Sequence, residues 1–257
     1  MNGNEKELAG RVILITGASS GVGKHLALML AQRGAAVACC ARRVDKLHDL
    51  VTQIMAQGGS ACAVPCDVTD HQSIVGAFAV AEERLGPIDS VICNAGINHA
   101  GPAIKLSAES LDAILSVNLR GAFLTAQEGA RRIIANDIAA TRRRVIFVAS
   151  ILGTKPLAGA AVYGATKAGV ILMAKTLALE WARRGITVNT ICPGFMPTEI
   201  IDDWFETPGG KADMARWPNK DFMPVEKLDP AILFLLSEAS ASITGNAIIV
   251  DEGQSLA

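Results

Sequence analysis

The chain has 257 residues, half of them apolar, and a formal net charge of −1. That size suits one large core, and the near-neutral balance supplies no field to draw in nucleic acid or an anionic membrane; runs such as Arg142, Arg143 and Arg144 read as solvated charges. No apolar run approaches the roughly 20 residues that span a bilayer, and the opening "MNGNEKELAG" lacks the basic and apolar regions of a secretory leader, so a soluble, cytoplasmic protein without nucleic-acid or membrane partners is expected.

Short β-branched runs alternate with longer amphipathic segments along the chain. "RVILIT" precedes a helix near 22–33, "AAVACCA" one near 44–57, and "SACAVPC" one near 70–85. "IDSVIC" then precedes a long helix near 107–135, "RRVIFVA" one near 161–184, and "ITVNTI" a loop and a helix near 227–238, with "NAIIVD" last. Alternation of this kind predicts an α/β fold: a single Rossmann-type, doubly wound domain over 1–257, with a seven-stranded parallel sheet and helices on both faces. The six cysteines lie in or beside the apolar runs, with no C-x-x-C pair and no histidine at ligand spacing. They read as small hydrophobes rather than metal ligands.

The first predicted strand runs directly into "TGASSGVG". Glycines at Gly17, Gly21 and Gly23 permit a tight turn, close approach of backbone to a pyrophosphate and close packing of helix on strand, and a helix N-terminus there favours phosphate. Ser19, Ser20 and Val22 complete this expected dinucleotide cradle. About 20 residues further on, an NAD-preferring site places an acid at the end of the second strand, whereas this chain has Ala41 followed by Arg42 and Arg43. A guanidinium fork suits a 2'-phosphate, so NADP(H) is expected over NAD(H). The alternative is that both arginines only cap a solvated strand end.

The spacing G-x-x-x-G-x-G resembles that of the short-chain dehydrogenase/reductase family, and the resemblance covers nearly the whole chain. It continues through Asp67 and Val68 in "CDV", Asn94, Ala95 and Gly96 in "NAG", Asn118 in "SVNLRG" and Ser150 in "VASILG". The sole tyrosine, Tyr163, and Lys167 form Y-x-x-x-K thirteen residues beyond Ser150, and Pro193, Gly194 and Thr198 follow, with Met196 between them. The resemblance implies that Asp67 contacts adenine, that the other matched residues hold the coenzyme, and that Asn118, Ser150, Tyr163 and Lys167 form a proton relay. Residues four apart share a helix face, so the Lys167 ammonium is expected to favour ionisation of the Tyr163 phenol, whose ordinary pKa of about 10 is high for acid/base work near neutrality.

The substrate end carries fewer signals. Phe195, Trp204, Phe205, Trp217 and Phe222 are five of the eleven aromatics in the chain. Their concentration in one connection suggests a lid at about 195–225, with a contact to a neighbouring subunit as the alternative. Ile151, Leu152, Phe195, Trp204 and Phe205 are the expected pocket residues. No cation is evidently placed for a substrate carboxylate, although Lys155 and Lys211 are within reach in sequence, so a neutral, mainly apolar ketone or secondary alcohol is expected. Two departures from the family's pattern stand out: Cys93 precedes the N-A-G turn where relatives often have asparagine, and the last strand ends "VDEGQ" where many have two glycines. The second puts Glu252 near what the resemblance implies is an oligomer contact, a homotetramer or dimer. The resulting reading is an NADP-dependent carbonyl reductase or alcohol dehydrogenase. An NAD-dependent dehydrogenase with the same relay, and an idle NADPH-binding redox sensor, are the alternatives.

Overall fold

The apolar runs form seven strands of one parallel sheet in the order β3-β2-β1-β4-β5-β6-β7. We describe residues 6–199 and 203–257 in a computed structural model. The strands are β1 Val12–Thr16, β2 Ala36–Ala41, β3 Ser60–Pro65, β4 Ser90–Cys93, β5 Arg144–Val148, β6 Thr187–Pro193 and β7 Ala247–Val250. The helices are α1 Gly21–Gln32, α2 Val44–Ala56, α3 His71–Leu85, α4 Ala108–Leu115, α5 Ala122–Ala135, α6 Ala161–Trp181, α7 Pro208–Met214 and α8 Asp229–Leu236. Every residue of β5 and β6 is buried, as a parallel sheet covered on both faces requires. Successive side chains divide between two cores: Leu14, Val145 and Phe147 pack with α3, α5 and α6, while Ile13, Ile15, Ile146 and Val148 pack with α1, α2 and α8.

The long helix expected over 107–135 is interrupted at its centre by a π-helical turn, Ser116–Gly121. The wider turn carries Asn118, which is buried, and such turns are found at functional sites. The stretch Ala161–Arg184, α6 with its closing turn, is long and apolar enough by composition to cross a membrane, which counting uninterrupted apolar runs had missed. Here its Val170, Ile171, Ala174 and Leu177 pack in the core of the domain. All six cysteines are buried and unpaired, and burial pushes Cys39 up to about 12 and Cys66 and Cys192 up to about 11. Thiols held protonated in this way are unreactive fillers.

At the start of the strands, beneath the sheet, charges are buried together. Arg11 Nε donates to Asp89 Oδ1 at 2.8 Å, and Asp89 Oδ2 accepts from the Val12 amide at 2.9 Å. The Arg144 side chain donates to the Thr141 and Ser237 carbonyls, at 2.7 and 3.1 Å. At the other end, strand order reverses between β1 and β4, which opens a crevice where doubly wound sheets bind ligands. The segment leaving β6 makes an excursion through α7 and returns, closed at its base by the Met223 amide donating to the Phe195 carbonyl at 2.9 Å.

Candidate active site

A cavity of about 920 Å³ fills that crevice and runs from the glycine turn to the aromatic segment. Its first part is shaped by backbone. Gly17 has φ 70°, and a Cβ there would stand 2.8 Å from the Ala95 Cα, so only glycine lets the turn lie against the Asn94–Ala95 loop. Thr16 Oγ1 locks that loop by accepting from the Asn94 and Ala95 amides at 3.1 and 3.2 Å. Asp70, Ser107 and Thr207 cap α3, α4 and α7 with their side chains, whereas Ser20 at the start of α1 makes no such bond. Ser20 Oγ accepts instead from Arg43 Nη2, and Ser19 Oγ from Arg43 Nε at 3.1 Å. The first amides of α1 are thereby left for an anion beside a fixed guanidinium, a donor set that fits the pyrophosphate and ribose end of a dinucleotide.

Asp67 also lines the cavity. Its Oδ1 accepts from the amide and hydroxyl of Thr69 at 2.9 and 2.8 Å, and these bonds, with the Arg42 charge, hold its carboxyl below the usual range.

At the far end, the extended backbone at Ser150 directs its hydroxyl, which accepts from the Leu152 amide at 3.1 Å. Tyr163 faces it from the first turn of α6. Close approach of α6 to the 151–153 turn needs small residues: a Cβ on Gly164 would lie 2.9 Å from the Leu152 carbonyl oxygen. Lys167 Nζ donates to the Val148 carbonyl at 2.9 Å and lies 5.5 Å from the Tyr163 ring centre. Burial pushes the phenol up to about 12, opposed by its hydrogen bond with Ser150, and pulls the ammonium down to about 8. Asn118 stands behind the wall, clamped to Ile97 by Oδ1 accepting at 2.8 Å and Nδ2 donating at 2.9 Å. Both Lys167 Nζ and Asn118 Oδ1 come near the open side of Gly96, 3.5 and 3.6 Å from where its Cβ would be.

Most residues expected from sequence meet at this cavity: Gly17, Ser19, Ser20, Gly21, Val22, Arg42, Arg43, Val68, Asn94 through Gly96, Ser150, Leu152, Tyr163, Lys167, Pro193 through Met196, Thr198 and Phe205. Three are placed elsewhere. Gly23 packs beneath the turn, where a Cβ would meet the Gly17 carbonyl oxygen at 2.3 Å. Ile151 is turned into the core, 1% exposed, because the short turn after Ser150 points consecutive side chains apart. Asn118 is one layer behind the surface. The side chain of Trp204 and residues 200–202 lie outside the described residues.

Of the expected pocket aromatics, Phe195 and Phe205 line the cavity, and the segment's rings also pack on one another. Phe195 stacks on Trp217 with centres 4.9 Å apart, and Phe205 meets both Trp217 and Phe222 at 5.4 and 5.3 Å. The rings pack against one another, and among the described residues of the segment Phe195 and Phe205 are the aromatics that reach the cavity. Lys155 is drawn off to the Gln254 carbonyl at 3.1 Å and Lys211 to Glu206 at 3.5 Å, so neither lines the cavity.

Several contributors were not anticipated. Thr166 donates to the Tyr163 carbonyl at 2.7 Å and accepts from Asn118 at 3.3 Å. Asn98 lines the cavity with its Oδ1 buried and unpartnered. Lys46, three residues after Arg43 in the first turn of α2, was detectable by helical spacing. Glu199, which pairs with both cations, was not, because the contact spans 156 residues to Arg43.

A doubly wound sheet with a glycine turn, an anion seat and a Ser-Tyr-Lys group at the strand ends defines a dinucleotide-dependent oxidoreductase. The family model described as short chain dehydrogenase matches residues 11–209, and the chain belongs to that family. It is 33% identical to gluconate 5-dehydrogenase of Gluconobacter oxydans, covering 96% of this chain and 95% of that protein. It is 32% identical to D-threitol dehydrogenase of Mycolicibacterium smegmatis, covering 97% and 94%. Among solved structures it is similar to a gluconate 5-dehydrogenase from Burkholderia cenocepacia in complex with NADP and tartrate, at 32% identity, TM-score 0.91 and 98% coverage of both chains.

Proposed function

We propose that the chain is an NADP(H)-dependent oxidoreductase that interconverts a neutral ketone and secondary alcohol carrying at least one further hydroxyl. The bound coenzyme supplies or accepts the hydride. In the reducing direction Tyr163 gives its proton to the substrate oxygen as charge grows there, and Ser150 donates a hydrogen bond to the same oxygen. A phenol pushed up to about 12 is held in the proton-donating form. Lys167, anchored on Val148, supplies positive charge on the ring side, and Asn118 holds the Ile97 backbone that faces it.

The observation that carries the coenzyme reading is Arg43, pinned by Ser19 and Ser20 two residues beyond Ala41, the position where an NAD site would have an acid. Neutrality of the substrate rests on the cavity's lysine and arginine side chains: among described residues they are Arg42 and Arg43 at one end and Lys167, which the relay uses. The further hydroxyl is supported by the similarity to D-threitol dehydrogenase and gluconate 5-dehydrogenase. The 195–223 excursion is the lid over this end. The exposed Leu172 and Leu179 on one side of α6 support self-association as a homo-oligomer.

The test is turnover with a panel of simple aliphatic ketones, neutral polyols with their keto forms, and sugar acids, each with both coenzymes. Highest kcat/KM for neutral hydroxylated compounds with NADP(H) is expected. Preference for sugar acids would overturn the neutral substrate, and a preference for NAD(H) would overturn the coenzyme.

A further inference from the structure

The anion seat beside the glycine turn holds an anion of the chain's own. Glu199 spreads its carboxylate over two cations, with Oε2 2.8 Å from Arg43 Nη1 and Oε1 3.0 Å from Lys46 Nζ. The Ser20 hydroxyl adds a third bond, and together these donors hold the Glu199 carboxyl down at about 2, so it is fully charged at any working pH. Arg43 is one of the two guanidiniums, with Arg42, expected to meet the 2'-phosphate of NADP(H). A carboxylate and a phosphate monoester ask for the same donors, and one seat serves one anion at a time.

Glu199 arrives from a distant part of the chain. It follows Thr198, whose Cβ stands 3.4 Å from the point a Cβ would occupy on Gly21, so the loop leaving β6 crosses the glycine turn before reaching α2. Glu199 also lines the cavity itself. Both ion pairs are about half exposed, which makes them screened and readily exchanged. A 2'-phosphate carries more charge than a carboxylate and can displace it. NAD(H) brings no charge to this place and leaves Glu199 on Arg43 and Lys46.

We propose that Glu199 is a specificity-determining residue: a resident carboxylate that competes with the 2'-phosphate of NADP(H) for Arg43 and Lys46 and so narrows the preference for NADP(H) over NAD(H). The proposal rests on the reading of Arg43 as the phosphate-binding group. It explains why a strand end without an acid need not give a strict NADP enzyme, since the acid is supplied from the far side of the sheet. It also ties coenzyme choice to the segment that carries Phe195 and Phe205, because the phosphate must move the loop that bears them.

The experiment measures equilibrium binding of NADPH and NADH by coenzyme fluorescence in the wild type and in Glu199→Gln, Glu199→Ala and Arg43→Ala. Glu199 is exposed, so its variants should fold. Both Glu199 variants are expected to bind NADPH about three- to tenfold more tightly, the affinity equivalent of two exposed ion pairs that no longer oppose it, with NADH changed less than twofold. Hydrogen exchange at 195–199 should rise in the wild type with NADPH and not with NADH. Unchanged or weaker NADPH binding in the Glu199 variants, while Arg43→Ala still loses NADPH, would overturn the competition and leave the seat standing. NADPH binding that Arg43→Ala does not weaken would overturn the seat, and the competition with it.

Discussion

The Lys167 ammonium approaches the Tyr163 ring, 5.5 Å from its centre, while one of its three N–H groups donates to the Val148 carbonyl. At that distance the lysine faces the ring rather than hydrogen-bonding the phenol oxygen, and burial, opposed by the Ser150 hydrogen bond, pushes the phenol up to about 12. Loading the oxidised coenzyme beside Tyr163 adds a second positive charge on the same side. Tyr163→Phe keeps the ring and removes the proton. Turnover should fall by at least ~10²-fold while NADPH binding persists, read by single-turnover kinetics and coenzyme fluorescence. Near-normal turnover would remove Tyr163 from the mechanism.

Burial lowers Lys167 from 10.5 to about 8. Between those values the unfolded chain binds the proton and the folded chain does not, so stability rises with pH across that window. Below pH 8 the cost of burying the charge is fully present, and above 10.5 it is gone. Tyr163 runs the other way, from 10 to about 12, and subtracts stability only above pH 10. Denaturant unfolding of the wild type and of Lys167→Met, compared from pH 7.5 to 10, should show the wild type gaining on the order of 2–3 kcal/mol relative to the variant. A difference that stays flat would mean that the ammonium keeps its water.

Asp89 is 2% exposed and faces Arg11 and Arg142. Asp89→Asn leaves the Arg11 charge buried without its partner, and breaking a buried pair from one side costs about 3–5 kcal/mol. Because this cluster lies at the opposite end of the sheet from Tyr163, kcat per folded molecule should be unchanged. A loss of less than about 1 kcal/mol by denaturant titration would show that water reaches the cluster.

Trp217 is 4% exposed within the single chain and stacks on Phe195 at an interplanar angle of 8°. Trp217→Ala should loosen the excursion without loosening the sheet. Amide exchange across 203–223 should accelerate and KM for substrate rise several-fold, with exchange in β5 and β6 unaltered. Exchange that stayed slow would mean that the remaining rings suffice.

Strand and helix positions were legible because burial on both faces of a parallel sheet leaves unbroken apolar runs such as "VILIT" and "RVIFV", and because Tyr163 and Lys167 are joined by one helical turn. What escaped detection depends on groups brought together from afar or on local geometry that apolar periodicity does not carry. The π turn at Ser116–Gly121 widens a helix without changing its composition. Ile151 was placed by proximity to Ser150, yet a tight turn sends neighbours to opposite sides. The aromatics were correctly seen as a group, but their mutual packing is a tertiary fact. The Glu199–Arg43 pairing has no sequence signal, since an ion pair spanning 156 residues leaves no period.

The bond between Met223 and Phe195 means that the excursion leaves and re-enters the domain at nearly one point. The Phe195 amide is further tied to Gln254 Oε1 at 2.6 Å, on the other side of the base. A loop whose two ends coincide can be exchanged for another of different length without changing the spacing of the strands that hold it. The sheet then behaves as a fixed socket and the 196–222 stretch as an interchangeable cassette. Grafting that stretch from a relative with another substrate, with Phe195, Met223 and Gln254 kept, should transplant substrate choice while the Tyr163 chemistry stays where it is.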